Sequence, residues 1–88
     1  MEFLAKIFVT PKAAVLDPQG KAVASSLKSL GYDEVVDVRV GKLILVRVRG
    51  DDRTAAETRV ADMCRRLLAN EVIEDFRFEL GRDGDAAT

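Results

Sequence analysis

The sequence predicts an α+β fold: a two-layer β-α-β-β-α-β domain with both helices on one face of the sheet, oligomerising through that sheet. Three observations carry this reading. Apolar and polar residues alternate along Phe3 to Thr10, and the run from Glu34 to Arg49 is rich in β-branched residues. Two intervening stretches repeat apolar residues at helical spacing, Val23-Leu27-Leu30 and Ala56-Val60-Met63-Cys64-Leu67. The 88 residues suffice for one small domain, which by area scaling buries only about 64% of its unfolded surface.

The first strand places Phe3, Ala5, Ile7 and Val9 on one face and Leu4, Lys6, Phe8 and Thr10 on the other, and Pro11 ends it. Asp17-Pro18 predicts a helix start, with aspartate as N-cap and proline first in the helix. Gly31 supplies the left-handed stop, and Lys28 lies in the last turn, where the helix dipole favours a cation. Gly41-Lys42 predicts a tight turn dividing Glu34 to Arg49 into a hairpin. Its pairs are Val40–Leu43, Val38–Leu45 and Val36–Arg47 on one face, and Arg39–Ile44, Asp37–Val46 and Val35–Val48 on the other. The second helix opens with capping-box spacing at Thr54 to Glu57, or is capped earlier by Asp51 or Asp52. Val72 to Leu80 forms the last strand, so residues 1–80 make one domain and the small, polar residues 81–88 are expected to be a disordered tail.

Two helices cover one sheet face, yet this sheet is apolar on both. Leu4 and Phe8 oppose Ile7 and Val9, and the hairpin is greasy on either side. An uncovered face of that size is rare on a monomer, and a second copy packed through the sheet is the simplest remedy. Leu4, Phe8, Leu43 and Leu45 are the self-association candidates.

Charge is balanced, 14 Lys+Arg against 15 Asp+Glu, which argues against a nucleic-acid partner. No apolar stretch is long enough to span a membrane and no basic-then-apolar leader opens the chain, so a cytoplasmic location is expected. Histidine is absent, which removes the usual acid–base group near neutral pH and the commonest transition-metal ligand. Cys64, on the apolar stripe, reads as a packing residue rather than a nucleophile. Asp51-Asp52 reads as a capping turn rather than a cation loop, and Glu71, Glu74 and Asp75 as strand-edge charges rather than a catalytic pair. Asp17-Pro18-Gln19-Gly20-Lys21 reads as a capped helix start, with an anion-holding helix terminus as the alternative. Arg39, Lys42, Arg47 and Arg49 make the hairpin basic, suited either to an acidic partner surface or to a solvated edge.

Val15-Leu16-Asp17-Pro18-Gln19-Gly20-Lys21-Ala22-Val23, Leu30-Gly31-Tyr32-Asp33-Glu34-Val35 and Asp37-Val38-Arg39-Val40-Gly41-Lys42 resemble the PurS family, the small subunit of phosphoribosylformylglycinamidine synthase. Leu67-Leu68-Ala69-Asn70 and Val72-Ile73-Glu74-Asp75 complete a likeness that runs from about Phe3 to Leu80. Glu71 stands where the family usually has proline, and Phe76 where tyrosine is common. The resemblance implies a non-catalytic subunit of purine biosynthesis, a homodimer or tetramer. Such a subunit bridges a glutaminase subunit and an ATP-dependent synthetase subunit and supports ammonia transfer between them. It implies no cofactor in this chain, with ATP, magnesium and glutamine used by the partner subunits. Asp17, Pro18, Gln19, Gly20, Lys21, Arg39, Gly41 and Lys42 are then candidates for contact with those partners. A dimeric regulatory domain that binds a small ligand such as an amino acid shares this strand–helix order and is the competing reading. A free-standing enzyme stands third.

Overall fold

The computed structural model describes residues 1–82. The expected tail lies outside them, apart from Gly81 and Arg82, which continue the last strand. Strand β1 (Glu2–Pro11) leads to helix α1 (Pro18–Ser29), strand β2 (Lys42–Arg49), helix α2 (Arg53–Met63) and strand β3 (Glu74–Arg82). The sheet has three strands in the order β2-β1-β3, both pairings antiparallel, and Ile7 of the central strand lies opposite Ile44 and Phe78.

The alternation in β1 decides where the core lies. Phe3, Ala5, Ile7 and Val9 are all buried and meet Val48, Leu80 and the α2 residues Ala56 and Val60, with Cys64 and Ala69 just beyond the helix. Asp52 begins α2, its carboxylate accepting the Ala55 N–H at 2.7 Å, so the earlier of the expected caps is the one used. The helix then widens into a π-turn over Cys64–Leu68, in which the Ala69 N–H donates to the Cys64 carbonyl five residues back, at 3.0 Å. The extra residue in that turn rotates the apolar stripe. Leu68 packs against the core in the place a regular helix would have given Leu67, and Leu67 is 83% exposed. Burial pushes the Cys64 thiol above its ordinary value, against a smaller opposing pull from the Arg65 charge. It is a packing group.

Two expectations are corrected. The hairpin over Glu34 to Arg49 forms only its second strand: residues 35–40 carry no ladder, and the pairings Val40–Leu43, Val38–Leu45 and Val36–Arg47 are absent. The sheet is therefore three-stranded, not four-stranded. A long-range contact competes for the strand: the Val40 N–H donates to the Asp17 carboxylate, 23 residues away, instead of to a neighbouring strand. The helices, moreover, do not share the covering role. Helix α2 lies on the sheet, whereas α1 buries only Gly20 and leaves Val23 and Leu30 exposed, the latter by 74%. Leu27 of its amphipathic stripe is half-buried, while Val23 and Leu30 at either side of it stay open among the described residues.

That arrangement elongates the molecule. Its extents are 50 × 29 × 14 Å and its radius of gyration 16.3 Å, against about 12 Å for a compact domain of this length. Helix α1 and the strap of residues 35–40 form an arm that leaves the core after β1 and returns at β2.

Candidate functional site

Two constellations hold the residues singled out from the sequence. The first is the sheet face that α2 does not cover. Pairing with β1, rather than a hairpin, sets the register of β2: Phe8 lies opposite Leu43 and Arg77, Lys6 opposite Leu45 and Glu79, and Leu4 opposite Arg47 and Gly81. Side chains directly opposite one another share a face, so Leu4, Phe8, Leu43 and Leu45 surround Lys6 on a single surface. Leu4 and Phe8 are half-buried by their neighbours, while Leu43 and Leu45 remain 54% and 58% exposed. The β3 side is polar. The Arg77 guanidinium sits 4.0 Å from the centre of the Phe8 ring and 3.2 Å from the Glu79 carboxylate. The four self-association candidates thus form one apolar patch with a charged border.

The second constellation is a clasp at the base of the arm. Asp17, at the N-cap of α1, uses both carboxylate oxygens: one accepts the Gly20 N–H at 3.0 Å, the other the Val40 N–H at 2.8 Å. Arg39 answers from the strap. Its guanidinium donates to the carbonyls of Ala13 at 2.5 Å and Val15 at 2.7 Å, with a longer reach of 3.4 Å to Lys12 and an ion pair to Asp37 at 3.5 Å. Gly20 is required by close approach, because a Cβ there would run into the Val38 carbonyl and the Asp17 carboxylate. Gly41 meets the Val9 carbonyl in the same way. A hollow of about 290 Å³ opens beside the clasp, lined by residues that include Asp17, Lys21 and Arg39.

Of the partner-contact candidates, Asp17, Gly20, Arg39 and Gly41 therefore use their chemistry within the chain. Pro18, Gln19, Lys21 and Lys42 are exposed, Lys42 lying 3.8 Å from Glu74. The close approach of another backbone at Gly20 is legible in the sequence, but the hydrogen bonds of the clasp are not. Asp17 and Val40 are 23 residues apart, and the only sequence signal was a glycine placed where helix propensity disfavours it.

The Asp17 pKa is lowered chiefly by the Val40 N–H, then by the Gly20 N–H, with the Arg39 charge adding to them. A depressed carboxyl contributes stability that is fully present above the ordinary aspartate value of about 3.9 and is lost as pH falls through the lower native value. The Val40 amide proton shift is therefore expected to titrate in NMR spectra with a midpoint below the ordinary aspartate value, while that of Ile7 stays flat. A Val40 midpoint at or above the ordinary value would contradict this.

Among the described residues there is no group of three or more metal-capable side chains and no helix long and apolar enough to cross a membrane. Together the fold and the site define a class: a small two-layer α+β domain with one sheet face covered by its own helix, the other open, and a clasped arm. The PurS family, described as phosphoribosylformylglycinamidine (FGAM) synthase, matches residues 4–82. The PurS subunit of Bacillus subtilis is 48% identical over 75 residues, covering 85% of this chain and 88% of that protein. That of Synechocystis is 47% identical over 75 residues, covering 85% and 75%. The structure matches crystalline B. subtilis PurS with a TM-score of 0.80 at 45% identity, over 91% of this chain and 99% of that one. It also matches a chain of PurLQS from Thermotoga maritima with a TM-score of 0.83 at 28% identity, over 91% and 98%. The chain belongs to the PurS family.

Proposed function

We propose that this chain is the small, non-catalytic subunit of phosphoribosylformylglycinamidine synthase. It self-associates as a dimer or tetramer in the cytoplasm, bridges the glutaminase and synthetase subunits, and supports passage of ammonia between them. Family membership supports the enzyme system, and the PurLQS likeness supports a place within a complex. The observation that carries the assembly role is the sheet face away from α2, where Leu4, Phe8, Leu43 and Leu45 lie together and Leu43 and Leu45 are more than half exposed. The exposed stripe of α1 adds to it. ATP, magnesium and glutamine belong to the partner subunits in this reading.

Reconstitution tests it. With glutaminase and synthetase fixed, omitting this chain is expected to lower glutamine-dependent synthesis of the amidine at least tenfold. Synthesis from added ammonium should fall far less, since the synthetase chemistry does not need the bridge. Equal glutamine-dependent rates with and without the chain would overturn the proposal.

A further inference from the structure

We propose that Asp17 and Arg39 are positioning residues that fix the direction of the arm, and that self-association depends on that direction. The proposal rests on the reading that a second copy covers this chain's apolar surfaces. The arm joins the core through residues 13–17 on the way out and residues 40–41 on the way back, between Lys12, whose N–H donates to the Ile73 carbonyl at 2.9 Å, and Lys42, which is paired with Val9 in the sheet. Without a tie between them, these two short connections are where the arm can swing. Asp17 lies in the outgoing segment and holds the amide of Val40 in the returning one. Arg39 precedes Val40 and grips the carbonyl of Lys12, where the outgoing one begins, and those of Ala13 and Val15 within it. The two side chains thus tie the ends of the arm to each other from opposite directions, and the glycine at position 20 lets the strap lie against the first turn of α1 without a steric conflict.

What the clasp orients is apolar. Val23, Leu30, Tyr32 and Val36 are all exposed, Val36 by 92%. The same chain carries the complementary need, since the sheet face away from α2 is also apolar and leaves Leu43 and Leu45 more than half exposed. An arm held out from a core in this way can reach the same surface on a second copy. Fixing its angle beforehand removes the ordering cost that a swinging arm would meet on association.

Asp17→Asn separates the clasp from helix capping. Asparagine caps a helix about as well as aspartate, but it has one acceptor oxygen and turns an amide donor toward the second N–H. Arg39→Ala removes the opposing grip. In full-length protein, each variant is expected to lose hydrogen-exchange protection at Val40 while Gly20 and Ile7 stay protected, and to weaken self-association at least tenfold in light scattering on dilution. Arg39→Lys, which keeps the charge but not the planar fork, is expected to rescue little. Val40 protection lost with self-association unchanged within twofold would overturn the proposal, as would Val40 protection retained in both variants. A wild-type chain that is monomeric throughout would overturn the second-copy reading and this proposal with it. A self-associating wild type with indifferent variants would overturn this proposal alone.

Discussion

Leu45→Glu is expected to weaken self-association at least a hundredfold, about 3 kcal/mol, with little change in the stability of the isolated chain. The asymmetry follows from where the side chain sits. Leu45 is more than half exposed on the open face, so a carboxylate there stays hydrated when the chain is alone. Surface changes of that kind usually alter stability by no more than about 0.5 kcal/mol. Packed against a second copy, the same carboxylate is taken out of water among Leu4, Phe8 and Leu43, with Lys6 opposite as its nearest possible partner. Leu43→Glu, opposite Phe8 rather than a lysine, should be at least as severe. Dilution series followed by light scattering give the dissociation constants. Variants with the wild-type constant would move the self-association surface elsewhere.

Ile7→Ala should produce the largest loss of folding stability. Ile7 is fully buried on the central strand, between Ile44 and Phe78 in the ladder. Truncating such a residue costs about 2–5 kcal/mol, because the sheet and α2 cannot close on the space left behind. A chain of this length has a total stability of roughly 4–13 kcal/mol, so the variant is expected to lose a large fraction of it. Ile7→Val should cost only about 1 kcal/mol, and urea unfolding of the two variants gives the comparison. A loss below about 1 kcal/mol for Ile7→Ala would mean that the core is not centred on β1.

The elements that were legible in the sequence are those whose signals are local. Period-two alternation placed Phe3, Ala5, Ile7 and Val9 on the buried face of β1, where they lie. Asp17-Pro18 opened α1, and Gly31, with φ at 99°, closes it. The placement of Leu4, Phe8, Leu43 and Leu45 on one face was also legible, although the hairpin that led to it does not form. Moving the partner of β2 from residues 35–40 to β1 left its own alternation intact. What was not legible is non-local. Residues 34–49 satisfy every short-range rule for a hairpin, and one carboxylate from a distant helix cap removes the Val40 amide from it. Likewise the stripe ending at Leu67 obeys helical spacing, until a π-turn adds a residue and Leu67 points to solvent. From the sequence Arg39 is one of four basic residues suited to an acidic partner surface or to a solvated edge, because nothing near it in sequence announces the carbonyls it binds.

The mass of the wild-type chain in solution at micromolar concentration tests the central claim most directly. A monomer weighs 9.7 kDa, and sedimentation equilibrium is expected to return at least twice that value, with Leu43 and Leu45 shielded from chemical footprinting. A single species of monomer mass, with both leucines freely labelled, would contradict the account.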